Sequence, residues 1–98
     1  MKKIYFTITG TNYRYGQDFL EPGMKVKLEK EPDNPYDAEA IKVMMKGLGQ
    51  IGYVANSTRT VKGESWSAGR IYDRIGKKAS GTVKLVMPDG VLCVLDKK

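Results

Sequence analysis

Apolar residues recur at strand-like spacing in six short stretches. In "KKIYFTIT", Ile4, Phe6 and Ile8 alternate with Lys3, Tyr5 and Thr7, the period-two pattern of a half-buried strand, and Gly10 ends it. "MKVKLEKE" places Val26 and Leu28 on one face and Lys25, Lys27 and Glu29 on the other, after a Pro22-Gly23 turn. "AIKVMM" and "QIGYVA" read as a third and fourth strand joined through Lys46-Gly47-Leu48-Gly49, hence an antiparallel hairpin. "SGTVKLVM" and "VLCVL" flank Pro88-Asp89-Gly90, a strong turn signal between two β-branched runs, and form a second hairpin.

Between the hairpins, "SWSAGRIYDRIGKK" predicts a helix: Ile71 and Ile75 lie one turn apart, a serine is available as N-cap, and Gly76 with Lys77 and Lys78 closes the pattern. "NSTRTVKG" reads as a turn or short helix, because β-branched residues and Gly63 oppose a long one. The fold class that follows is mainly β: a small six-stranded, OB-like antiparallel barrel with one or two short helices, whose closure removes exposed strand edges.

Ninety-eight residues support one domain, spanning residues 1–98, with a small core. The lone Cys93 has no disulfide partner, the N-terminus turns polar too soon for a signal peptide, and no run spans a bilayer, so a reducing cytoplasmic setting is expected, without a membrane partner. The net charge is +6, unevenly placed: residues 1–55 carry eight basic and seven acidic side chains, residues 56–98 nine and four. A basic domain favours polyanions.

Several chemical signatures fail on inspection. Gly47-Leu48-Gly49-Gln50-Ile51-Gly52 is a literal G-x-G-x-x-G, but a strand follows it where dinucleotide binding needs a helix N-terminus. Gly69 and Gly76 are spaced too widely for a phosphate loop, and the acidic run from Glu29 to Glu39 lacks the glycine and terminal glutamate of a calcium loop. There is no histidine, and the one cysteine lies in an apolar strand, so no catalytic constellation, metal site or cofactor site is expected. A carboxylate-only metal nuclease built on Asp33, Asp37 and Glu39 is the remaining enzymatic alternative.

Nucleic-acid binding has better material. Tyr13 and Tyr15 lie two apart with Arg14 between them, and share one side if that segment is extended. Tyr36, Tyr53 and Trp66 add rings. Aromatics on a barrel surface stack on unpaired bases, each worth about 1–3 kcal/mol, while Arg and Lys neutralise phosphates. The competing interpretation is half-buried tyrosines with their hydroxyls in water and a Trp66 that plugs the barrel.

"GTNYRYG", "LEPGMKVKLEKEPDNPYDAEAIKV" and "QIGYVANS" stand in an order and spacing that resembles the HIRAN domain, over roughly residues 4–57. The resemblance implies an OB-like barrel that recognises single-stranded DNA at a free 3′ end. Carried onto this sequence, it makes Tyr13 the first stacking platform, Tyr36 the second ring and Asp37 the acceptor for the terminal hydroxyl, with Tyr53 and Asn56 as further contacts. This chain departs from the pattern at Asn12, where relatives often carry arginine; Arg14 supplies the charge from the other side. After "GYV" it continues Ala55-Asn56-Ser57 where many relatives place proline and charged residues. The expected function is thus a non-catalytic DNA-binding module in repair or stalled-fork processing, with a separate ATPase or nuclease as further partner. A protein-interaction or structural barrel is the alternative. The oligomeric state stays open.

Overall fold

The computed structural model describes residues 3–57 and 59–96. Among them, six strands form where the pattern places them: β1 (Tyr5–Thr9), β2 (Lys25–Lys30), β3 (Ile41–Met45), β4 (Gly49–Val54), β5 (Lys78–Met87) and β6 (Gly90–Leu95), with helix α1 (Ala68–Tyr72) between β4 and β5. Every strand pairs antiparallel with its neighbours, and the order β1-β4-β3-β2-β5-β6 closes into a barrel. β1 is the closing strand, since Ile8 lies opposite Val54 of β4 on one side and Val91 of β6 on the other. The expected six-stranded OB-like barrel is the architecture the chain adopts.

The alternating apolar positions meet inside the ring. Phe6, Ile8, Leu28, Ile41, Val43, Ile51, Val83, Val91 and Cys93 have no exposed surface, and α1 adds Ala68 and Ile71 to the same cluster. Each large side chain so buried contributes about 1.5–3 kcal/mol over leaving it in water. Burial also pushes the Cys93 thiol up to about 12, which keeps it protonated and unreactive. The three glycines of the G-x-G-x-x-G string serve the β3–β4 hairpin. Gly47 and Gly49 take positive φ in the turn, and a Cβ on Gly52 would lie 2.6 Å from the Thr9 carbonyl oxygen, so only glycine lets β4 approach β1 there.

Two local expectations change, and one left open is decided. Thr7, placed on the polar face by its alternation, is fully buried: residues 62–66 run beside β1, the Trp66 N–H donates to the Tyr5 carbonyl (2.7 Å), and Thr7 Oγ1 shares a hydrogen bond with Ser65 Oγ (2.9 Å). Covering by a distant segment leaves no trace in strand periodicity. The helix is only five residues long: Ser67 is the serine that caps it, it ends at Tyr72, and residues 73–77 lead without helix to β5, whose first residue Lys78 lies opposite Glu29 of β2. The "NSTRTVKG" stretch, of which Thr58 lies outside the described residues, resolves as a turn in which the N–H groups of Thr60 and Val61 both donate to the Ser57 carbonyl. No helix among the described residues is long and apolar enough to cross a membrane.

Candidate nucleic-acid interface

The loop from β2 to β3 carries "EPDNPYDAEA", and its shape follows from one asparagine. Asn34 Oδ1 accepts from the backbone N–H of both Tyr36 (2.8 Å) and Asp37 (3.0 Å), an Asx turn that Pro35 stiffens. The turn pushes Tyr36 outward until it is 95% exposed. Asp37 points the other way. Its Oδ1 accepts from Glu39 N–H (2.9 Å) and its Oδ2 from Asn56 Nδ2 (2.9 Å). Asn56, just past β4, uses its own Oδ1 to accept the Gly69 N–H of α1 (2.8 Å). A Cβ on Gly69 would meet Glu39 Oε1 at 2.7 Å and Asn56 Oδ1 at 3.3 Å, so the helix start lies close against the loop, although the exposed Glu39 side chain is free to move aside. One amide side chain therefore ties the turn to α1.

On the opposite wall, Tyr53 of β4 donates its hydroxyl to Glu31 Oε1 (2.8 Å), which also accepts from Asn34 Nδ2 (2.7 Å). Together these groups line an open cleft of about 860 Å³, with Tyr36, Asp37, Tyr53 and Asn56 all on its surface. Among the described residues, the lining contains the carboxylates Glu31, Asp33 and Asp37 and no lysine or arginine. A basic protein thus carries an acidic cleft. Among the described residues, no three acidic or cysteine side chains gather into a group able to hold a metal ion.

Arg14 sits on the adjacent rim, and Tyr13, outside the cleft lining, precedes it on the segment after β1. The segment after β1 is not extended: Gly10 adopts φ +76°, Thr11–Tyr13 form a 3₁₀ turn, and the N–H groups of Arg14 and Gly16 both return to the Thr11 carbonyl. Tyr13 and Tyr15 consequently do not share a face in the way an extended segment predicts. Tyr13 is 90% exposed, whereas the Tyr15 hydroxyl donates to the Leu48 carbonyl (3.1 Å) in the β3–β4 turn. Arg14 donates to Gln50 Oε1 (3.1 Å). Its charge also reaches Glu31, which connects the rim to the cleft electrostatically.

Sequence reasoning placed Glu31 in a solvated acidic run. The structure instead makes it the clamp between Asn34 and Tyr53. The bonds from Asn34 and then Tyr53 outweigh desolvation and hold its carboxyl below the ordinary 4.5, with smaller help from Lys42 and Arg14. A depressed folded-state pKa contributes stability that is present above the unfolded value and lost as the pH falls through the folded one. Thermal midpoints followed from pH 6 downward should fall below about 4.5, and Glu31→Gln should flatten part of that decline. An identical acid profile for the variant would exclude the clamp. Asp96 and Asp89 add to the remaining slope: desolvation raises the Asp96 pKa, but bonds from Thr82 (2.7 Å), Lys25 (3.2 Å) and Ser80 (3.1 Å) together leave it lowered, and the bond from Lys62 lowers that of Asp89.

The sequence model of the HIRAN domain matches residues 1–73, which include β1 to β4, the cleft and α1. In the solved structures, the chain is similar to the HIRAN domain of human HLTF, with a TM-score of 0.61 and 19% sequence identity over 95% of this chain and 74% of that one. At that identity the likeness concerns the fold, and it takes in β5 and β6 as well. No curated protein sequence matches at a significant level.

Proposed function

This chain belongs to the HIRAN domain family, which is known for DNA binding, and from that premise we propose that it is a single-stranded DNA-binding module that recognises a free 3′-hydroxyl end. The observation that carries the proposal is Asp37, a carboxylate held beside an outward-facing ring in a cleft without cations. A carboxylate accepts a hydrogen bond from a hydroxyl and repels a phosphodiester, so such a cleft favours a chain end over internal strand. Each Asp37 oxygen already accepts one bond, and a carboxylate offers about four acceptor sites, so a hydroxyl can still be received. Tyr36 supplies a stacking face, and in this reading Tyr13 and Arg14, outside the cleft lining, supply a second ring and a phosphate contact. Tyr53 and Asn56 take a different part. With the Tyr53 hydroxyl on Glu31 and the Asn56 amide shared by Asp37 and Gly69, they hold the pocket in shape.

In this proposal the domain, residues 1–98, performs no chemistry and delivers DNA ends in repair or stalled-fork processing to a separate ATPase or nuclease. Fluorescence anisotropy at fixed salt, with a chelator, tests it. A strand ending in a 3′-hydroxyl should bind tighter than its 3′-phosphate counterpart by roughly 10- to 150-fold, the about 1.5–3 kcal/mol of a hydrogen bond to a charged group. Blunt duplex should bind weakly, and Asp37→Asn should shrink the preference. Equal, weak binding of all three ligands would leave charge alone as the cause and favour the protein-interaction barrel.

A further inference from the structure

The cleft that holds Asp37 does not stop at Asn56. A second hollow of about 340 Å³ shares Asn56 and Ser57 with it and continues past Ser67 to Arg70. A third, of about 630 Å³, shares Arg70 with the second and runs along Trp66 to Arg74 and Lys3. The three form one furrow whose charge changes sign along its length. Carboxylates line the first part; Arg70, Arg74 and Lys3 line the last, with Glu64 the one carboxylate among them. The Arg70 guanidinium lies 4.0 Å from the centre of the Trp66 ring and that of Arg74 5.4 Å from it. Neither arginine joins a salt bridge among the described residues. A guanidinium laid on an indole face keeps its N–H edge outward in a restricted set of orientations, a geometry suited to phosphate.

We propose that this furrow is the path of the bound strand: the terminal nucleotide occupies the acidic cleft, and the chain runs back over Ser57 and Ser67 so that its phosphates reach Arg70, Arg74 and Lys3. The proposal rests on the end-binding reading above and adds a direction and a footprint to it. An acidic cleft offers a polyanion no net attraction, so the affinity for phosphates has to come from outside it. The cations that line the furrow stand at the end away from the cleft, and with Arg14 beside the cleft serving the terminal nucleotide they orient the rest of the strand.

Anisotropy with 3′-hydroxyl strands of two to ten nucleotides, each titrated over a range of salt, tests the path. Wild-type affinity should rise with length until the furrow is filled. Arg70→Gln with Arg74→Gln should abolish most of that gain and lower the salt slope by about 1.4, at about 0.7 per phosphate contact, while keeping dinucleotide affinity and the 3′-hydroxyl preference. Arg70→Lys, which keeps the charge and the fold, should retain the slope. A double variant with an unchanged thermal midpoint and a wild-type slope and length dependence overturns the path. So does one that leaves DNA binding intact but loses binding of a polyglutamate peptide, which would assign the basic end to a protein partner. A wild type indifferent to the 3′ end group would instead defeat the end-binding reading, while the salt slope still reports the basic track separately.

Discussion

Tyr36→Ala should weaken binding of single-stranded DNA by about 1–3 kcal/mol, roughly 5- to 150-fold at fixed salt, with a thermal midpoint that stays where it was. The separation of the two effects follows from the geometry. The ring is 95% exposed, so removing it opens no cavity, and the turn is held through the Tyr36 backbone N–H, which alanine keeps. Tyr36→Phe should bind like wild type, because stacking uses the ring face and not the hydroxyl. Anisotropy and thermal melts on the same protein samples check both halves. An alanine variant that binds normally would remove Tyr36 from the interface, and one that melts early would show that the ring packs on the barrel.

Phe6→Ala should have the largest effect on stability, about 3–5 kcal/mol, against a total of about 5–15 kcal/mol for a domain of ordinary stability. Phe6 is completely buried on β1, the strand that closes the ring between β4 and β6. Its ring fills the space that a side chain at Gly81 would need: a Cβ there would lie 2.7 Å from Phe6 Cζ and 3.0 Å from the Val94 carbonyl oxygen. The midpoint should drop by roughly 10–40 °C, at about 4–8 °C per kcal/mol for a domain of this size. Gly81→Ala should destabilise by itself, and the double variant should be less damaged than the two singles summed, since the new methyl enters the vacated ring space. Additive losses would mean that the two positions do not share that space. A DNA-binding defect in Phe6→Ala would carry no functional meaning unless measured well below its own midpoint.

Much of the barrel was legible in the sequence because its determinants are local. Alternation in "KKIYFTIT" and "MKVKLEKE" sets which side chains face inward, and Pro88-Asp89-Gly90 sets where a hairpin turns; each needs only a few consecutive residues. The "PDNPYDAEA" turn was legible for the same reason, since Asn34 bonds to groups two and three positions along. So was the core position of Cys93, whereas the exposure of Tyr36 stood open between a stacking ring and one packed on the barrel. The helix was legible in place and in having a serine cap, but not in length: it ends at Tyr72, short of the Ile75-Gly76 end that the pattern suggests.

What the sequence alone determined about this protein is its family, its strand pattern and a short set of rings and a carboxylate that could meet DNA. Only the tertiary structure decided which of them share a cleft. Tyr36, Asp37, Tyr53 and Asn56 line one cleft, while Tyr13 and Arg14 lie outside its lining, on a segment folded by a 3₁₀ turn. It also decided that Asp37 is tied through Asn56 to Gly69, that Glu31 clamps Tyr53 and Asn34, and that Trp66 lies under Arg70 and Arg74 next to β1. The physical reason is range. Periodicity and turn chemistry act within a few residues, whereas the contacts Asp37–Asn56, Asn56–Gly69, Glu31–Tyr53 and Phe6–Trp66 join residues at least 13 positions apart, and closure of the barrel is what brings them together.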